Sequence, residues 1–370
     1  MSLVQTRIQN VRANSRLDRF EYRPSRYGAL NAFMVQSEDP TGILTEELRQ
    51  KARVSIGNTL ETPVIDYDAD ITIGDTRDLV IADSENTSKM YQITFATYAW
   101  GFTITPAMYM NNEISIQKDF ETKMMKYIYK FAQKLDEAAL TAIATAKTQV
   151  IKNSLLYDKT GNAINAKWSE RENVFGDLEV MMGANDFFGQ LHIVGDPGVE
   201  SIMRKLAQHG LYNDENKQNE FGTKIVHFTN NIAAAAGKYA QGYAVNAGAL
   251  GMLTRFERDC LLGTISGDGH EWGIATLPLL NMPVGTYFYD SVGDYNAIAG
   301  AATGDMTRTR KEHYGFAVDV AFLTAYNSDK ATLPSPILAF NISSENAVYA
   351  KPVVVVNSET SPVNTKAVQQ

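Results

Sequence analysis

The longest uninterrupted pattern in the chain is helical, and it sets a minimum dimension for the fold. Through DFETKMMKYIYKFAQKLDEAALTAIATA, the residues Phe120, Met124, Ile128, Phe131, Leu135, Ala139 and Ile143 recur at steps of three and four. That spacing gathers them on one stripe of an α-helix. It predicts a helix from Gln117 to Lys147, roughly 46 Å long at the α-helical rise, with Asn112 or Ser115 available as its cap. Beside the apolar stripe run Lys123, Lys126, Lys130 and Lys134. Such a row is ordinarily a solvated helix face, and its other reading is weak contact with DNA.

The segments before the helix read as strands. Ile65, Tyr67, Ala69, Ile71 and Ile73 alternate with Asp66, Asp68, Asp70 and Thr72, the pattern of a half-buried strand. GDTRD is its turn and LVIADS the expected returning strand of a long hairpin, whose row of acids discourages wrong edge pairing. In KMYQITFATYAWGFTIT the inward phase passes from Tyr91, Ile93 and Phe95 to Trp100, Phe102 and Ile104, so a bend is expected between Thr97 and Gly101. Residues 1–58 alternate little and read as an arm with at most a short helix near TEELRQKARVSI.

After the helix come a hairpin in LLYDKTGNAI, a second helix over about 170–188, and a strand at LHIVG. Asp196 and Pro197 are the cap and first residue of a short helix that Gly210 closes. Short strands alternate with Gly-rich loops over residues 223–304. Tyr314, Phe316, Val318, Val320 and Phe322 predict a long alternating strand, SPILAFNIS another, and the last 25 residues a polar tail.

Catalytic patterns fail one by one. DYDAD at 66–70 opens like a calcium loop, but Ile71 and Arg77 stand where the glycine and glutamate are required. The five histidines never fall at the spacing of a helical zinc site, and His192 and His227 lie in expected strands as core histidines. No nucleophile elbow, phosphate loop or dinucleotide fingerprint occurs. Cys260 lies in RFERDCLLG without a histidine partner and reads as a packed thiol. The expectation is therefore a chain that is not an enzyme, with no catalytic, cofactor-binding or metal-binding residues and no cofactor. A soluble α+β enzyme with an unrecognised acidic site is the contrary reading.

Charge is more informative by position than in total. The 370 residues carry a net charge of −8, which argues against a basic nucleic-acid binder. Residues 1–27, however, hold Arg7, Arg12, Arg16, Arg19, Arg23 and Arg26 against Asp18 and Glu21, a balance of +4. Residues 61–85 hold eight acids, including Asp66, Asp68, Asp70, Asp75 and Asp78, against Arg77 alone, a balance of −7. Opposite segments of this kind can attract each other across a subunit boundary and fix its register. The single cysteine suits a reducing compartment, and no apolar run reaches the roughly 18 residues of a membrane span.

Taken in order, the arm, the hairpin, the strand pair leading into one long helix, a second helix, an α+β unit and closing strands resemble the major capsid proteins of tailed bacteriophages, the Hong Kong 97 fold. The resemblance is carried by YQITFATYAWGFTITPAMYMNNEISIQKDFETKMMKYIYKFAQKLDEAAL, LHIVGDPGVESIMRKL, GTKIVHFTNNI and EHYGFAVDVAFLTAY. It spans residues 1 to about 345, and its motifs are architectural. It implies an α+β fold with an N-terminal arm (1–58), an extended loop (59–90), a peripheral domain (91–189 and 305–345) with spine helix 117–147, an axial domain (190–304) and a tail (346–370).

It further implies pentamers and hexamers in an icosahedral shell around double-stranded DNA, assembled in the host bacterial cytoplasm through a procapsid. The implied partners are other copies of the chain, scaffold, portal and decoration proteins, and loosely held DNA, with no membrane. No lysine occurs from 52 to 88, so the lysine-to-asparagine cross-link of some relatives is not expected. Met1 lies too near the arm for a fused scaffolding segment, so a separate scaffold or none is expected. An encapsulin-type compartment with the same fold is the nearest alternative.

Overall fold

Three helices open the chain where the sequence suggests an arm: α1 (Leu3–Asn14), α2 (Gly28–Ser37) and α3 (Glu46–Val54). The structure is a computed structural model that describes residues 3–14, 26–40, 42–55, 57–66, 87–109, 116–149, 157–160, 163–209, 224–264, 269–294, 308–326 and 333–344. Val4, Ile8 and Val11 are buried in the largest core of the same chain. They stand four and three residues apart, so they share one helical face. The stripe is short and set among polar residues, which is why alternation alone passes over it. Thr45 caps α3 by accepting from the Leu48 N–H at 3.3 Å.

Next, β1 (Thr59–Asp66) pairs antiparallel with β2 (Thr87–Thr94), Asp66 opposite Thr87. The returning strand is thus described from Thr87, while LVIADS lies outside the described residues. The bend falls at Phe95, earlier than expected, and β3 (Ala96–Ile104) begins at once. Phe95 and Ile93 are buried on one phase, Phe102 and Ile104 on the other. The switch occurs there because the chain changes partner: β2 lies on β1, whereas β3 pairs with a strand more than 200 residues later.

The long helix forms as α4 (Ile116–Thr145), with Phe120, Met124, Ile128, Phe131 and Leu135 in the largest core and Ala139, Leu140 and Ile143 in another. One rod thereby joins two cores. Beyond it lie β4 (Asp158–Thr160), β5 (Ala163–Ala166), α5 (Val174–Gly183), β6 (Leu191–Gly195), α6 (Pro197–His209), β7 (Lys224–Phe228) and β8 (Lys238–Asn246). Asp196 caps α6, accepting from the Val199 N–H at 2.9 Å. The chain ends its described course with β9 (Leu250–Arg255), α7 (Arg258–Leu262), β10 (His270–Thr276), β11 (Pro283–Asp294), β12 (Arg308–Thr324) and β13 (Ile337–Ser343).

Two larger sheets result. One has the order β10-β11-β12-β3, with β9 also paired to β12. The other has the order β4-β5-β13-β8-β6-β7. This membership cuts across the unit expected from residues 190–304. Strands β6 to β8 join β4, β5 and β13, while β9 to β11 join β3 and β12. Strands β4 and β5, expected with the peripheral part, likewise belong to the second sheet, and Phe175, Leu178 and Met182 of α5 pack with Leu191, Ile193 and Phe340. Partner choice is set by which apolar faces can close a common core, and that is not visible in local spacing.

Candidate assembly surfaces

The β1–β2 ribbon is the least self-sufficient element. Its inner end is held by Leu60 and Ile93, which pack with Leu44, Leu48, Phe95, Leu253 and Leu323. Farther out, Pro63, Ile65, Ser88 and Met90 are all exposed, Ile65 by 56% and Met90 by 61%. Pairing sets Pro63 opposite Met90 and Ile65 opposite Ser88, so these residues share one face. A two-stranded ribbon gains little stability alone, and apolar groups on its face call for cover. Asp66 ends β1, with its backbone alone described, and Asp68, Asp70, Asp75 and Asp78 lie outside the described residues.

The arginines divide similarly. Arg7 turns into its own chain, where Nη2 lies 3.0 Å from Glu312 and the guanidinium stands 5.3 Å from the centre of the Tyr314 ring. Tyr314 donates its hydroxyl to Glu312 at 2.7 Å, and burial followed by that bond pushes its pKa upward. Around this node the Leu3 N–H donates to Glu271 and the Gln5 amide to the Ile274 carbonyl, each at 3.0 Å. Arg26 pairs with Glu200 of α6. Arg12 lies in α1 with its side chain undescribed, and Arg16, Arg19 and Arg23 fall outside the described residues.

On α4, Lys123 is tied to Asp119 at 2.8 Å and donates to the Thr103 carbonyl at 3.1 Å. Lys126, Lys130 and Lys134 are exposed on the same side of the helix. Four-residue steps make them a continuous cationic row about 12 Å long.

The joint between the sheets holds a residue that sequence reasoning missed. Asp136, on α4, is fully buried. Its Oδ1 accepts from the Leu30 N–H at 2.9 Å, and its Oδ2 accepts from the Thr229 hydroxyl at 2.6 Å and the Asn231 amide at 2.7 Å. Burial raises its pKa against the lowering effect of these bonds. α2 is thus bound through its first turn to α4 and to the residues after β7. Gly28 sits at this crossing because a Cβ there would meet the Phe228 backbone at 2.5 Å. At its other end, Gln36 accepts from the Leu250 N–H at 2.9 Å and Ser37 from the Met252 N–H at 2.7 Å. An aspartate in a helix rich in charged residues carries no sequence signal of burial.

The residues weighed for chemistry are built into the packing. Cys260 is buried in α7, and burial first, then Glu257 and Asp259, push its pKa up to about 11. His270 begins β10, where its Nδ1 lies 2.6 Å from the Tyr287 hydroxyl. His192 and His227 are both buried, Nδ1 to Nε2 at 3.2 Å. Among the described residues, no three His, Cys, Asp or Glu side chains are grouped to hold a metal ion, and no helix is long and apolar enough to cross a membrane.

No family model and no curated protein matches the sequence. Among solved structures, a chain from Mycobacterium phage Adephagia is similar over 90% of this chain and 94% of that one, at 13% identity and a TM-score of 0.49. A chain of the cyanophage Pam1 capsid asymmetric unit is similar over 80% and 88%, at 12% identity and a TM-score of 0.46. A chain of the capsid of Ralstonia phage GP4 is similar over 79% and 85%, at 11% identity and a TM-score of 0.43. These similar structures are phage structures, two of them described as capsids.

Proposed function

We propose that this chain is the shell-forming subunit of a tailed phage, joining as pentamers and hexamers into an icosahedral capsid around double-stranded DNA. The observation that carries the reading is the outer β1–β2 ribbon, whose Pro63, Ile65 and Met90 face away from every core of their own chain. Laid on a neighbouring copy, that face loses its exposed apolar surface, and closed symmetry multiplies each modest contact. α4 supports the reading mechanically, because one helix anchored in two cores resists bending when neighbours pull on the ribbon. Lys126, Lys130 and Lys134 would give weak, sequence-independent contact with DNA. Scaffold, portal and decoration proteins are the expected partners, the virion capsid the expected location, and the host bacterial cytoplasm the place of assembly.

The test is electron microscopy and sedimentation of the purified chain beside an Ile65→Asp/Met90→Asp variant. The unaltered chain is expected to form closed hollow shells, and the variant to remain as small species with an unchanged circular dichroism spectrum. An unaltered chain that stays monomeric when concentrated, or a variant that assembles equally well, overturns the reading.

A further inference from the structure

The two buried histidines sit at the place where α2 meets the six-stranded sheet. In the parallel β6–β7 pair, His192 lies opposite Ile225 and Val194 opposite His227, so both imidazoles project from one face. Val194 on that face packs with Ala29, Ala32 and Phe33 of α2. The rings are nearly parallel, 7° apart with centroids at 5.4 Å, and share one hydrogen bond of 3.2 Å. A cleft of about 670 Å³, lined by Gly28, Asn31, Tyr129, Glu200 and His227 among others, reaches the His227 side of the pair.

We infer that the His192–His227 pair is an acid-operated release for α2. In the neutral pair, one ring donates its N–H and the other accepts on its bare nitrogen. A first proton leaves an imidazolium donating to a neutral ring, and the shared bond survives. A second proton occupies the last accepting nitrogen, the bond is lost, and two like charges lie stacked between α2 and the sheet.

The neighbours leave little to offset that charge. Asp136 of α4 already accepts from three donors, and Glu200 of α6 is paired with both Arg26 and Arg204. Lys224 of β7 projects from the opposite face of the sheet, 3.5 Å from Glu179. Tyr243 of β8 is neutral, since burial raises its pKa. Burial lowers the pKa of His192 too, but Asp39, just past α2, favours a charge there, so His192 takes the first proton. His227 takes the second: burial, then its partner, pull its pKa down to about 4. The stability that neutrality supplies is therefore complete above the unfolded-state value near 6.5 and falls away as pH drops toward 4. Because α2 also binds Leu250 and Met252 of β9, its release loosens one sheet against the other.

The experiment is hydrogen–deuterium exchange of the full chain at pH 7.5 and 5.0, corrected for intrinsic exchange, read over residues 28–37 and compared with α5. From the His227 shift alone, opening of α2 is expected to rise about 25-fold at the lower pH, while α5 changes little. His227→Gln keeps a hydrogen-bonding group that does not titrate and is expected to remove most of the acid step, whereas His192→Gln, which leaves His227 buried, is expected to reduce it in part. Should those variants not fold, histidine NMR titration of the unaltered chain serves, and the second of the two imidazole titrations is expected to coincide with the loss of α2 protection. Equal α2 protection at the two pH values, an acid step that persists in full in the folded His227→Gln variant, or α2 loosening at a pH where neither ring titrates overturns the inference. None of these readouts depends on whether the chain forms a shell.

Discussion

Replacing Asp136 tests whether the joint between the sheets is held from within. Asp136→Ala strands the Leu30 N–H and the Thr229 hydroxyl in a fully buried site and takes the acceptor from the half-buried Asn231 amide. A buried donor left unpaired costs about 1–3 kcal/mol. Removing the carboxylate also relieves the burial that raises its pKa, so the three costs are partly offset. The net loss is expected to be about 3 kcal/mol for Asp136→Ala, and about half that for Asp136→Asn, which keeps one accepting oxygen. Urea unfolding of the full chain, followed by tryptophan fluorescence, measures both.

The pH dependence at this position has a definite sign. The folded state takes up a proton at Asp136 more readily than the unfolded state, because its pKa is raised. The stability that Asp136 contributes relative to a non-titrating asparagine therefore increases as pH falls, and the Asp136→Asn deficit widens from pH 7 toward pH 4. An alanine variant as stable as the parent, or an asparagine deficit that narrows in acid, would refute this account of the joint.

Two further outcomes follow from the surfaces. Ile8→Ala removes a fully buried side chain from the α1 stripe and is expected to cost about 2–4 kcal/mol in the same unfolding assay; a cost below about 0.5 kcal/mol would mean that α1 does not rest on its own core. Changing Lys126, Lys130 and Lys134 together to Gln is expected to lower the logarithmic salt dependence of duplex DNA binding by about 3, measured by fluorescence anisotropy. An unchanged slope would make the row an ordinary solvated face.

What the sequence revealed depended on distance along the chain. The spine was legible because its apolar period is sustained over Phe120 to Ile143, and β12 because Tyr314 to Phe322 alternate without a break. The Asp196 cap and the packed state of His192 and His227 were legible for the same local reason. α1 was hidden because its three buried apolar residues, Val4, Ile8 and Val11, make a faint stripe in a largely polar dodecamer. Sheet membership was hidden more deeply: Ala339 pairs with Ala163, and Asp319 with both Thr97 and Arg255. Asp136 could be found only through its partners, which come from residues 30, 229 and 231. Pro63, Ile65 and Met90 were expected in a ribbon or strand, but which face they present depends on where the body of the chain ends.

The position of β13 in its sheet also bears on when the subunit becomes complete. It is inserted between β5 and β8, so residues 337–343 link the β4–β5 hairpin to the rest of the six-stranded sheet. A nascent chain still lacking them has no strand with which to close that gap, however long ago its earlier parts left the ribosome. Final closure of that sheet awaits the synthesis of residues 337–343, after all of its other strands.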